Sequence, residues 1–291
     1  MNSRIAAHLA LLAVALIYSA NYVIAKDVMP EFIGPRGFIF LRVVGATAMF
    51  FLLGIFVKAK QQIERKDWLR VALCGIFGIA GNQLLFFEGL SLTSPINAAV
   101  IMTSNPVLVL VMSAILLKEK LTAIKIIGVL LGGAGALYLI MNAGGGSLDQ
   151  SNGLGNLLIF LNASSYAIYL VIVKPLLRKY EPLLVIRWVF AAGMLIVIPI
   201  GFQQVSAVQW SIWTPSVILA VGFVVICTTF MAYLLNVFAL KTLSSAEVST
   251  YIYLQPLFTT FLALLLAKDV LTADAFIAGA LIVSGVYLVG K

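Results

Sequence analysis

The sequence predicts an all-α integral membrane protein of about ten transmembrane helices, arranged as two inverted five-helix repeats. Three observations predict it. The 291 residues are 62% hydrophobic and 10% charged, with a mean hydropathy of +1.09; a soluble domain carries roughly 25% charged residues. Apolar runs near the ~20 residues that a spanning helix needs recur along the whole chain. Finally, residues 94–122 and 244–272 repeat one another at a shift of 150.

The repeat is read from paired positions. Ser94 matches Ser244, Pro106 matches Pro256, Leu116 matches Leu266 and Lys118 matches Lys268. Leu121/Leu271 and Thr122/Thr272 follow, with an acid at Glu119 and Asp269. Outside the segment lie Leu90/Leu240 and Gly135/Gly285. Each half places a proline in the middle of an apolar stretch. Paired, interrupted central helices are how many transporters build a site between their halves.

The spans fall near 6–26, 36–57, 68–90, 95–117 and 122–141, then 153–173, 183–202, 215–238, 246–267 and 272–290. They are too long, and too uniform, for the alternating strands of a membrane barrel. The first run has a basic start at Arg4 and a small-residue site at Tyr18-Ser19-Ala20, as a signal peptide does. Its apolar character continues past that point, however, and it aligns with the internal run 154–174, Tyr18 on Tyr166 and Lys26 on Lys174. The stretch 143–153, rich in Gly and small polar residues, is a linker. The domain division is therefore 1–142, 143–153 and 154–291.

With the N-terminus inside, fifteen of the nineteen Lys and Arg residues fall in inner segments. Only Lys26, Arg36, Arg42 and Lys268 fall outside. This asymmetry predicts cytoplasmic termini in a cell (inner) membrane. Five spans per half then force the halves into opposite orientations. The net charge of +8 is loop charge of this kind, so no nucleic-acid partner is expected. Two cysteines inside apolar runs and one histidine give no disulfide framework, no metal spacing and no expected cofactor.

Proline inside a helix frees the carbonyl four residues earlier. Pro106 and Pro256 would free those of Met102 and Ile252, which in lipid must face protein, water or ligand. Asn105 and Gln255 stand beside them. Polar residues elsewhere fall on single helix faces: Tyr18, Asn21 and Tyr22; Asn82, Gln83 and Phe86; Asn162, Ser165, Tyr166 and Tyr169; Thr229, Tyr233 and Asn236; Glu247, Tyr251 and Gln255. Such stripes either join helices or line a wet cavity, and a cavity accounts for so many at once. Four charges lie within the spans. Arg42 and Glu88 share an outer depth, and Arg187 and Glu247 an inner one, so two ion pairs are expected, with snorkelling as the alternative. All four are candidates for gating or coupling. Glu247 is the sharpest asymmetry, since its counterpart is Asn97; it is either a proton-exchanging carboxylate or a helix N-terminal acid. Gly128, Gly132 and Gly135 form a small-residue stripe for close packing within the monomer, with a dimer face as the alternative.

The segments NPVLVLVMSAILLKEKLT and QPLFTTFLALLLAKDVLT, each within a five-helix half, resemble those of the drug/metabolite transporter superfamily, specifically EamA-type transporters. The resemblance covers 8–141 and 154–290. It implies a ten-helix inner-membrane transporter with a cavity between the halves, moving amino acids, other small metabolites or drug-like compounds, often outward. The first span departs from the family's Trp-Gly-like start, with Tyr18-Ser19-Ala20-Asn21.

On the residues alone, a secondary transporter leads. A channel or scaffold without active transport is the alternative, although scaffolds need no polar stripes and channels favour charged rings. No catalytic or nucleotide-binding motif points to an enzyme. The neutral, amide- and tyrosine-rich stripes suit a small zwitterionic or amphipathic solute, probed by a protein acting as monomer or homodimer in a lipid bilayer.

Overall fold

A computed structural model describes residues 3–29, 31–57, 61–93, 98, 101–142, 153–255, 257–258 and 273–289. No strand occurs among them. The principal helices are α1 (Ser3–Val28), α2 (Pro35–Phe56), α3 (Trp68–Gly75), α4 (Gly81–Leu92), α5 (Asn105–Leu117), α6 (Ala123–Asn142), α7 (Gly153–Ile172), α8 (Lys174–Lys179), α9 (Pro182–Ser206), α10 (Pro215–Phe223), α11 (Ala232–Thr242), α12 (Ser245–Thr250) and α13 (Ala273–Val289). Among the described residues six stretches are long and apolar enough to cross a membrane, and shorter apolar helices occupy Asn105–Leu117, Ala123–Gly135 and Gly279–Val289. Residues 143–152 of the expected linker and the expected span end 259–267 lie outside the described residues, as does Pro256.

Local chemistry sets the helix starts. Proline opens α2, α9 and α10, where its missing N–H costs nothing. Ser244 and Glu247 form a reciprocal capping box on α12. Lys118 ends α5 in the left-handed region, at φ 55°, and turns the chain toward α6.

The outer surface is apolar. Leu195 and Leu219 are 73% and 74% exposed, and Ile55 and Leu130 are similarly bare. Water would penalise this surface and lipid does not. Trp68 meets Trp188 at 5.0 Å near one end, and Trp210 meets Trp213 at 4.7 Å near the other, as expected of aromatic belts at two interfaces.

Packing is reciprocal between the halves. α1 lies on α11, and α4 on α7; α2 packs on α9, and α6 on α13. The last contact needs glycine: a Cβ on Gly285 would stand 2.4 Å from the Gly132 nitrogen and 2.6 Å from the Gly128 oxygen. Gly128 and Gly132 thus serve close packing inside the monomer. At one end Lys179 joins Glu64 at 2.6 Å and Asp67 at 2.8 Å, while the Tyr180 hydroxyl donates to Asp67 at 2.7 Å. The Lys179 and Lys66 ammonium groups hold the Glu64 carboxyl below the usual carboxylate range.

Candidate functional site

Two departures from regular helix shape the centre. The third apolar run is not one α-helix: Ile76–Ala80 is a π segment between α3 and α4. The eighth run has its counterpart at Val224–Met231, between α10 and α11. A π turn widens the helix and releases carbonyls, which must find partners away from water. Ser165 donates to the Phe77 carbonyl at 2.7 Å, and the Tyr233 hydroxyl to that of Gly78 at 3.1 Å. In the second segment Thr229 bonds back to the Val224 carbonyl at 2.8 Å.

The proline helices are also broken. Helix stops at Met102, turns through Thr103–Ser104, and restarts as α5 with Pro106 in its first turn. The expected continuous span with a mid-helix kink is therefore an interruption. In the other half α12 gives way to a 3₁₀ turn at Tyr251–Tyr253, just before Pro256. The Ser19 hydroxyl bridges this break to α1, reaching the Gln255 carbonyl at 3.0 Å.

Between the breaks and the π segments lies a cavity of about 110 Å³. That is space for several waters or one small solute. α1 contributes Tyr18 and Asn21, α2 contributes Arg42, and α4 contributes Asn82 and Gln83. From the other half come Asn162 and Tyr166 on α7, Tyr233 and Asn236 on α11, and Tyr251 and Gln255 beside the break. Met102 and Ile252, the residues four before the prolines, also line it. Some of the polar lining is cross-linked: Asn162 donates to the Asn82 carbonyl at 2.5 Å, and Tyr233 reaches the Asn82 side chain at 3.2 Å. Other atoms are left open. Asn21 Oδ1, Arg42 Nη1, Asn162 Oδ1 and Thr228 Oγ1 are buried without a hydrogen-bonding partner among the described residues. Each such atom costs about 1–3 kcal/mol if it stays unsatisfied.

Several expectations need correction. Asn105 does not reach the cavity; fully buried, it donates to the Ala163 carbonyl at 2.8 Å and ties α5 to α7. Tyr169 is also outside the lining, because its ring is packed under Gly78, where a Cβ would meet it at 2.3 Å. The Tyr22 side chain lies outside what the structure describes.

Both expected ion pairs are re-partnered. Glu88 is taken by Arg36 at 2.5 Å. Arg42 lies six residues further along α2, about 9 Å deeper at 1.5 Å per residue, and so misses the carboxylate. Its Nε donates to Thr229 at 3.0 Å, and its guanidinium lies 4.7 Å from the Phe87 ring centroid. Glu247 is taken by Arg4 at 2.7 Å. Arg187 cannot reach it, since α9 packs against α2 and α3; its guanidinium instead lies 5.4 Å from the Phe51 ring and 5.6 Å from the Trp188 ring. Beside the Arg4–Glu247 pair, His8 Nδ1 and the Tyr251 hydroxyl share a 2.7 Å hydrogen bond. Two contacts thus fasten the start of α1 to α12 and the turn after it.

Sequence reasoning missed the cavity's apolar floor, Leu11, Val14, Ala15 and Val248, and the ring of Phe87. Apolar residues in an apolar span carry no signal of which way they face.

The fold and this cavity are those of a multi-span membrane protein with a partly polar hollow at its centre. The family model of the EamA-like transporter family matches residues 5–141 and again 153–291, and the chain belongs to that family. It is 27% identical over 294 residues to the uncharacterized transporter YyaM of Bacillus subtilis, covering 98% of this chain and 95% of that protein. An uncharacterized transporter of Archaeoglobus fulgidus is 25% identical over 291 residues, covering 99% and 98%. The WAT1-related protein At3g53210 of Arabidopsis thaliana is 24% identical, covering 97% and 84%. A crystal structure of a protein shares the fold with a TM-score of 0.77 at 21% identity, covering 97% of this chain and 95% of that one.

Proposed function

We propose that this transporter is a secondary carrier of small zwitterionic solutes, amino acids above all, working by alternating access through the central cavity. The carrying observation is the buried Arg42, whose Nη1 has no partner among the described residues while it borders a cavity whose other lining is uncharged: amides, hydroxyls, aromatic rings and apolar side chains. A lone guanidinium there is matched by one carboxylate, through a charge-assisted hydrogen bond. The open oxygens Asn21 Oδ1 and Asn162 Oδ1 offer acceptors to an ammonium group of the same solute. Among the described residues a polyanion would meet one cation, Arg42.

The two units, 1–142 and 154–291, act as inverted repeats in this reading. Supporting it are the reciprocal helix contacts, the paired π segments and the paired breaks before Pro106 and Pro256. The termini are cytoplasmic, in the cell membrane, and transport is outward. Arg4–Glu247 and His8–Tyr251 then close the inner side, so Glu247 acts in gating. The Arg36–Glu88 pair at the other end belongs to one half only and does not bar the opening between halves.

Thermal shift on the detergent-purified protein tests the solute class. Neutral amino acids should raise the melting temperature, because a ligand selective for the folded state stabilises it. Their amides, lacking the carboxylate, should not, and Arg42→Met should abolish the effect. An equal shift from acid and amide contradicts carboxylate recognition at Arg42.

A further inference from the structure

A second cavity, of about 450 Å³, opens at the end of the molecule where α5, α8 and α12 begin or end. Three stretches of chain bring bases to it. The turn after α5 and the first turn of α6 supply Lys120 and Lys125, α8 supplies Lys174 and Arg178, and the last turn of α11 supplies Lys241. Among the described residues Glu119 is the one acid in the lining. Five cations against one anion leave a net charge of +4 around one hollow. Among the described residues, no carboxylate lies within ion-pair distance of Lys120, Lys125, Arg178 or Lys241. Lys174 is almost fully buried, and its ammonium is anchored on the Leu243 carbonyl. Like charges gathered in this way repel one another, and a bound anion offsets the repulsion.

The surroundings say which anion. The hollow lies at the end of the apolar surface, where headgroups would stand. Leu121, Ile124 and Ile127, on the chain that leads from the hollow up α6, are exposed apolar side chains. A ligand with a phosphate at one end and hydrocarbon at the other satisfies both surfaces. A free phosphate would use only the first. We propose that this hollow is a binding site for the phosphodiester headgroup of an anionic phospholipid, separate from the solute cavity. Basic pockets between spanning helices recognise such headgroups by charge. Because the α5–α6 turn and the start of α6 belong to one half and α8 and the end of α11 to the other, a lipid held there braces the halves against one another.

Native mass spectrometry on the purified full chain tests the site, with phosphatidylglycerol, phosphatidylcholine and inorganic phosphate as probes. Phosphatidylglycerol should bind in preference to phosphatidylcholine. Lys120→Gln/Lys241→Gln should weaken it about 25-fold, at about fivefold per lysine near a membrane surface. Both side chains are exposed, so the fold should survive. Lys120→Gln alone should give about fivefold. The charge-matched control Arg65→Gln/Arg70→Gln, on another exposed segment, should leave binding unchanged. Equal binding of the two lipids, or equal losses in pocket and control variants, overturns the site. Inorganic phosphate binding as tightly as phosphatidylglycerol overturns the lipid assignment.

Discussion

Glu247 holds two structures together at once, and substitution separates them. Its Oε2 accepts from the Ser244 backbone at 2.7 Å, completing the capping box of α12. Its Oε1 accepts from Arg4 at 2.7 Å, joining α12 to the start of α1. Glutamine can occupy the same capping position, so Glu247→Gln keeps the box and loses the ion pair. The Arg4 side chain is 49% exposed and that of Glu247 only 9%, so the pair sits near the top of the range for exposed pairs, about 1 kcal/mol. Glu247→Ala also loses the capping hydrogen bond, about 1 kcal/mol more. The expected losses are therefore about 1 kcal/mol for Arg4→Ala and Glu247→Gln and about 2 kcal/mol for Glu247→Ala. In the double-mutant cycle, Arg4→Ala with Glu247→Gln should show a coupling of about 1 kcal/mol that shrinks in high salt. Unfolding in mixed detergent micelles measures all four corners. If the latch closes the inner side, its loss also raises the open-to-closed ratio about fivefold, read as faster labelling of a cysteine placed at Ala15. A coupling of zero refutes the latch, and equal costs for Glu247→Ala and Glu247→Gln refute the box.

Three further outcomes follow from the packing. Gly285→Ala should destabilise by about 1–3 kcal/mol, because its Cβ has no room against Gly132, and unaltered thermal stability would show that α6 and α13 can separate freely. Lys118→Gly should stabilise by about 1 kcal/mol in the same unfolding assay, since glycine bears the left-handed conformation without a Cβ penalty, and a loss would mean that the lysine side chain matters more than its φ. Pro106→Ala should fold but exchange solute poorly, because alanine lets helix run back through the Thr103–Ser104 break; wild-type exchange would reduce the proline to a packing feature.

Much of the central cavity was legible in the sequence because polar residues in a lipid-exposed helix have few places to go. The stripes on the first, third, sixth, eighth and ninth spans brought Tyr18, Asn82, Tyr166, Tyr233 and Tyr251 to one hollow. The stripe logic failed where a polar group found a neighbouring helix instead. The Asn105 Nδ2 donates to the Ala163 carbonyl, and the Tyr169 ring fills the gap that Gly78 leaves. Ion pairing was misread for a related reason. Depth along the membrane can be counted from hydropathy, but lateral neighbours are set by helix packing, which placed Arg36 beside Glu88 and Arg4 beside Glu247. The π segments left no mark at all, since Ile76–Ala80 and Val224–Met231 are apolar runs like their neighbours. Arg42 was singled out as a buried charge, but its role changed once the structure showed it bordering the hollow rather than neutralised by Glu88.

The central claim is that solute passes through the hollow between the two halves. Counterflow of a labelled pool of neutral amino acids in proteoliposomes tests it most directly, comparing the wild type with Ala15→Trp. Ala15 is buried in the cavity wall, and an indole there would fill much of the roughly 110 Å³. The account predicts saturable exchange in the wild type and none in Ala15→Trp, with both proteins monodisperse and equally reconstituted. Exchange that persists in the filled protein would contradict it.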